Sequence, residues 1–182
     1  MLKIKYILPL ILILLTVIII GHCVEYGSDI LTDGTATASS VYDDNPLYAA
    51  EKAVDDSLEA ADRWLSKVNQ NTGWWKYDLG VGVTKIVCKF RYYGYTANQQ
   101  IKDFTIQGSN NDSDYDVLLT ETAANVQSWQ EWTFSNSTAY RYYKVVWTSI
   151  ITANNYAGAL EMEMMEEIKE EGANIMFLFS NF

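Results

Sequence analysis

Residues 84–92 alternate with a period of two: Ile86, Cys88, Phe90 and Tyr92 fall on one side, and Lys85, Lys89 and Arg91 on the other. Residues i and i+2 share a face only when the chain is extended. The pattern therefore specifies a strand with one face in a core and one in water, not an amphipathic helix. The same vocabulary of aromatic and β-branched residues recurs in short runs at 74–79, 104–107, 117–122, 131–134, 140–148 and 159–165. Between the runs stand turn formers, among them Gly80 with Gly82, and the stretch 108–112 with sequence Gly-Ser-Asn-Asn-Asp. Only 47–54 reads as helical, for about two turns. About seven strands at this spacing predict an all-β fold, an antiparallel β-sandwich or barrel.

The chain has 182 residues, enough for one ordinary domain. Its 13 Tyr, 6 Trp and 6 Phe are an unusual aromatic load that such a fold must place. Trp64, Trp74, Phe104, Phe134 and Trp147 are expected in the core, since each ring can bury about 150–250 Å². Cys88, on the apolar side of its strand, is expected to be a small buried hydrophobe.

Lys3 and Lys5 precede a continuous apolar run over residues 7–20, followed by Gly21-His22-Cys23. This is the layout of a secretory signal cleaved after Cys23, with an uncleaved N-terminal anchor as the alternative. The expected organisation is a signal or anchor at 1–23, a linker at 24–34, the β-sandwich at 35–166 and a tail at 167–182. The tail combines the charges of Glu166, Glu167, Lys169, Glu170 and Glu171 with an apolar stretch at 175–179. It reads as a solvated linker with a short strand packing back on the domain, or as a docking segment. The expected location is outside the cell, secreted or held at the membrane by the N-terminal segment alone.

Charge and residue inventory narrow the function. The formal charge of −10 opposes nucleic acid as a partner, because phosphate binding needs clustered Lys and Arg. Cleavage after Cys23 would remove Lys3 and Lys5, leaving 11 basic against 23 acidic residues and a charge of −12. It would also remove the single His, and with it any His-dependent catalysis. Asp114, Asp116 and Glu121 supply carboxylates, but their crowding beside one turn does not place them across a cleft. No enzymatic activity is expected. Two Asn-x-Ser/Thr sequons, at Asn111 and Asn136, are open to glycosylation in a eukaryotic secretory route.

Several segments occur together in a telling order: Ala38-Ser39-Ser40, Lys52-Ala53-Val54-Asp55, Trp64, then Trp74-Trp75-Lys76-Tyr77-Asp78-Leu79-Gly80. Residues 102–112, Tyr140-Arg141-Tyr142-Tyr143-Lys144 and Leu160-Glu161-Met162-Glu163 complete the series. Over residues 35–166 this resembles the discoidin domain, also called the coagulation factor five/eight type C domain. That group includes the family 32 carbohydrate-binding modules of the galactose-binding-like superfamily. The resemblance implies a jelly-roll β-sandwich that binds through loops at one end, with carbohydrate as the ligand and no chemistry. The alternative is a protein-binding adhesion or structural surface module.

The resemblance also implies a structural calcium ion. Carried over, its ligands are the Lys52 carbonyl, Asp55, Ser57, Asp62 and Glu161. Asp56 stands where the family has Gly, Asp62 where it has Thr, and the loop is two residues longer. The acidic loop has a reading of its own, since Asp55, Asp56, Ser57, Glu59 and Asp62 offer the oxygen donors that calcium prefers.

The ligand loops are expected at 41–48, 67–72, 93–100 and 149–156. Tyr42, Tyr93, Tyr95, Asn98, Arg63 and Tyr156 are the candidate ligand residues. Tyr rings cover the apolar face of a sugar while amides pair with its hydroxyls, so the expected partner is a cell-surface or extracellular glycan, with a surface protein second. Galactose binders of the family use a His and an Arg, and the mature chain lacks the His. A phospholipid ligand would need basic residues around apolar spikes, against the net charge.

Overall fold

The structure, a computed structural model, describes residues 24–168 except residue 97. The expected signal or anchor at 1–23 and the apolar part of the tail lie outside the described residues. Ten strands form two antiparallel sheets: β1 (Glu25–Tyr26), β2 (Thr35–Ala38), β3 (Trp64–Leu65), β4 (Gly73–Asp78), β5 (Val87–Gly94), β6 (Asp103–Ser109), β7 (Asp116–Thr122), β8 (Trp129–Thr133), β9 (Tyr142–Trp147) and β10 (Gly158–Ile168). One sheet runs β1-β10-β5-β8, with β3 also on β10; the other runs β2-β4-β9-β6-β7. The expected β-sandwich is what forms.

The core lies between the sheets and follows the alternation. Phe90 and Tyr92 of β5, with their cross-strand neighbours Met164 and Met162 of β10, face Phe104 and Ile106 of β6 and Tyr143, Val145 and Trp147 of β9. Trp64 and Trp147 meet edge to face at 5.4 Å, and Phe104 meets Trp132 at 5.0 Å. Cys88 is buried, as expected, and Phe134 is partly buried against the core.

Trp74 departs from expectation. Strand β4 buries Trp75 and Tyr77, so Trp74 and Lys76 point out of the sheet. A run of adjacent aromatics does not fix its own phase, and a one-residue choice exchanges the faces. Here the indole Nε1 of Trp75 donates to the Ala50 carbonyl at 2.9 Å, which locks Trp75 inward.

The expected helix at 47–54 resolves into two 3₁₀ turns, Pro46–Tyr48 and Ala50–Ala53, preceded by a third at Tyr42–Asp44. Pro46 has no N–H to continue a preceding turn, and Ala49 is extended between the last two.

Residues 24–34, expected as a linker, lie against the sandwich. β1 pairs with the far end of β10, which itself runs past residue 166 to Ile168. Leu31 is fully buried, and the Ile30 N–H donates to the Met164 carbonyl at 2.9 Å. Asp29 accepts the Met164 N–H at 2.7 Å, and burial pushes its carboxyl up to about 6.

A carboxyl whose native value is raised binds more protons folded than unfolded. Its contribution is intact below about pH 4 and is lost as pH rises through about 6. Asp29→Asn keeps an oxygen acceptor without the charge. It is expected to raise stability by about 1 kcal/mol at neutral pH, after allowing for solvent screening, and to leave it unchanged below about pH 4. Thermal unfolding at both pH values checks this; equal shifts at both would exclude charge burial as the cause.

Candidate ligand and cation sites

All four expected loops gather at one end of the sandwich, where β5 and β9 finish and β4, β6 and β10 begin. They are sewn together by amide and hydroxyl bonds. The Asn154 N–H donates to Asn71 Oδ1 at 2.8 Å, and Asn71 Nδ2 donates to Asn154 Oδ1 at 3.3 Å. The Asn69 N–H reaches the Asn155 carbonyl, and Trp147 Nε1 donates to the Gln70 carbonyl at 3.2 Å. Pairing between loops far apart in sequence restricts their movement and so preorganises the surface.

A continuous row of rings crosses this end. Tyr156 and Tyr42 meet edge to face at 5.2 Å, and Tyr42 meets Tyr48 in the same way at 5.2 Å. The Arg63 guanidinium lies 4.8 Å from the Tyr48 ring centre and 4.4 Å from that of Tyr95. The row Tyr156–Tyr42–Tyr48–Arg63–Tyr95 thus joins four expected residues through one, Tyr48, that the sequence did not single out. Asn45-Pro46 is the signal for it, because that turn folds Tyr48 back onto Tyr42: the Asn45 side chain accepts the Leu47 N–H and Pro46 opens the next 3₁₀ turn. Asp43, and then Tyr156, push the Tyr42 hydroxyl above its usual value. Beside Tyr42 lies a cleft of about 600 Å³ lined also by Asp43, Asp44, Lys67, Val68 and Gln70.

Arg63 is held by its own loop, where Nη1 donates to the Ala60 carbonyl. Its Nε is buried without a partner, which leaves one donor of the fork unused. Asn98 is exposed at the rim and accepts from the Thr152 hydroxyl at 3.3 Å.

Tyr93 does not join the row. Tyr92 is turned inward by two bonds of its hydroxyl, donating to the Gly158 carbonyl at 2.7 Å and accepting the Ile101 N–H at 3.2 Å. Alternation then sends Tyr93 to the outer face of β5, against Trp129 at 5.5 Å. The loop begins only after Gly94, where a Cβ would lie 2.2 Å from the Gln100 side chain.

Of the expected calcium ligands, Asp55, Ser57 and Asp62 occupy the loop that follows the last 3₁₀ turn, and Lys52 lies within that turn. Lys52 Nζ bridges Asp55 and Asp62 at 3.1 Å each, and the Ser57 hydroxyl donates to Asp62 at 3.2 Å. Asp56 adopts φ 59, the left-handed conformation that explains why a Gly is usual at its position. Glu161, on β10, is 2 % exposed, and neither of its carboxylate oxygens has a partner. Burial, reinforced by Asp55 and Asp56, raises its carboxyl to about 8. Among the described residues, no three His, Cys, Asp or Glu side chains are gathered into a ready metal cluster. The set is instead split, with two carboxylates on Lys52 and one alone. An orphaned buried carboxylate facing further acids is nevertheless a fit for a hard divalent cation.

The sequence profile of the F5/8 type C domain matches residues 35–164. No curated protein sequence matches the chain. Among solved structures, a CBM32 module from Clostridium perfringens in complex with GalNAc-β-1,3-galactose aligns with TM-score 0.66 at 18% identity, covering 77% of this chain and 100% of that one. The family 32 CBM of C. perfringens NanJ in complex with galactose gives 0.63 at 18% identity, with coverages of 78% and 100%. Chitosan-binding module 2 of a Paenibacillus sp. IK-5 chitosanase/glucanase, in complex with chitotriose, gives 0.62 at 21% identity, with coverages of 76% and 100%. Motif order, two-sheet architecture and the profile match agree, and the chain belongs to the F5/8 type C domain family.

Proposed function

We propose that this chain is a non-catalytic carbohydrate-binding module of a secreted or surface protein, and that the loop end is its glycan site. The observation that carries this reading is the row Tyr156–Tyr42–Tyr48–Arg63–Tyr95 beside the cleft at Tyr42. Ring faces and edges cover the apolar side of a pyranose, while Tyr hydroxyls, Gln70 and Asn98 supply donors and acceptors for its hydroxyls. Structural neighbours solved with GalNAc-β-1,3-galactose, galactose and chitotriose support the ligand class.

A calcium ion completes the reading. Glu161, Asp55, Asp62, Ser57 and the Lys52 carbonyl would hold it, with the Lys52 ammonium released from the two aspartates. The ion would supply charge neutralisation for Glu161 and tie the acidic loop to β10. Its role is structural.

A glycan array followed by titration tests the ligand. Tyr42→Ala and Tyr95→Ala, at unchanged melting temperature, are each expected to weaken glycan binding by about tenfold or more. A folded protein that binds no glycan and captures a surface protein would favour the adhesion alternative. Turnover of any polysaccharide would contradict both.

A further inference from the structure

Trp74 is left unused by the loop-end site, and it stands in unusual company. On the outer face of the β2-β4-β9-β6-β7 sheet, Lys76 of β4 and Lys144 of β9 are direct cross-strand partners. Like charges placed opposite each other destabilise a sheet. Both ammonium groups lie 5.6 Å from the Trp74 ring centre. Tyr142 and Tyr115 wall the patch, 5.7 Å from Lys76 and 3.4 Å from Lys144 respectively.

The two lysines are not equally satisfied. Lys76 Nζ is paired with Asp112 at 2.6 Å. That carboxylate also accepts from the Tyr115 hydroxyl, so both of its oxygens are already engaged. Among the described residues, no carboxylate lies within salt-bridge distance of Lys144: Asp112 acts on it only from farther off, and the Trp74 and Tyr115 rings stand beside it. Burial lowers its ammonium from the ordinary value. The outer face of the other sheet shows the contrast: there Lys89 pairs with Glu131 and Arg91 with Glu163, so the cations over Tyr26 and Trp129 are neutralised. A chain with ten more acids than bases has carboxylates to spare, yet among the described residues this cation has none within salt-bridge distance.

We propose that this sheet face is a second binding site, for an anionic saccharide, with the sugar ring on Trp74 and its carboxylate or sulfate on Lys144 beside Lys76. The ligand supplies the acceptor that the fold withholds, and the half-buried indole supplies the surface for the C–H face of a pyranose. The acidic remainder of the molecule limits the match to a short anionic segment, since a long polyanion would meet repulsion around the patch. None of these residues belongs to the loop-end row.

Isothermal titration with a galacturonate trimer and a sulfated galactose trimer tests this, with the neutral galactose trimer as control. At least one anionic trimer is expected to bind, more weakly as salt rises, and which one binds identifies the anion. Lys144→Gln should weaken that binding about tenfold, Lys144→Arg should largely retain it, and Trp74→Ala should lower it about tenfold with Trp74→Phe intermediate. Tyr42→Ala should leave it unchanged. The proposal is overturned if neither anionic trimer binds the unmodified protein, if Lys144→Gln binds as well as the parent, or if Tyr42→Ala abolishes the signal. The loop-end reading stands or falls separately, on neutral glycans and Tyr42→Ala.

Discussion

Trp75→Ala is expected to cost about 3–5 kcal/mol, a large part of the whole stability of a domain of this size. Trp75 is fully enclosed, stacks on Tyr77 at 6.0 Å, and its indole holds the Ala50 carbonyl. Removing it opens a cavity between the sheets and also frees the 3₁₀ turn that leads into the acidic loop. Its neighbour provides the control. Trp74→Ala, one residue away in the same strand, should cost no more than about 1 kcal/mol because that ring lies on the outer face. Urea unfolding of the two variants measures the difference directly. A larger loss in Trp74→Ala than in Trp75→Ala would mean that β4 presents its faces the other way. Trp75→Phe should fall between them, since it restores most of the volume but orphans the Ala50 carbonyl.

Calcium at about 100 times its dissociation constant is expected to add about 2.7 kcal/mol to unfolding stability, which for a domain of this length is a rise of roughly 10 °C in melting temperature. Chelator should reverse it. Glu161→Gln sharpens the test, because it should act in opposite directions in the two conditions. In chelator the variant is expected to be more stable than the parent by on the order of 2 kcal/mol, since a buried carboxyl group without a partner is exchanged for an amide that carries no charge. In calcium it should be the less stable of the two, with no shift of its own on adding the ion. Calorimetric titration should find one calcium site in the parent and none in Glu161→Gln. An unchanged melting temperature in calcium would rule out the ion, and Glu161 would then be simply a buried acid held neutral by its surroundings.

The sequence was legible wherever the controlling physics is local. The alternation in 84–92 became β5 with Phe90 and Tyr92 inside, and Gly80 took the positive φ of a turn. It was illegible wherever phase or pairing decides. Trp74-Trp75 offered two equally good inward residues, and only the bond to Ala50 selected one. Tyr93 read as a loop residue because nothing nearby showed that β5 continues to Gly94, a fact set by pairing with β10 and β8. Residues 24–34 looked like a linker because their short, polar sequence hides Leu31, whose burial depends on strands far along the chain.

At the ligand end, the residue types and the four loops were set out by the sequence, as was the acidic loop beside Trp64. The tertiary structure decided the geometry. It put Tyr48 into the row, carried Tyr93 to another face, left Glu161 alone behind the acidic loop, and set Lys144 opposite Lys76. The reason is one of range. Periodicity and turn chemistry act over a few residues and can be read along the chain, whereas which side chains meet depends on sheet register, and register is fixed by partners 33 to 79 residues away.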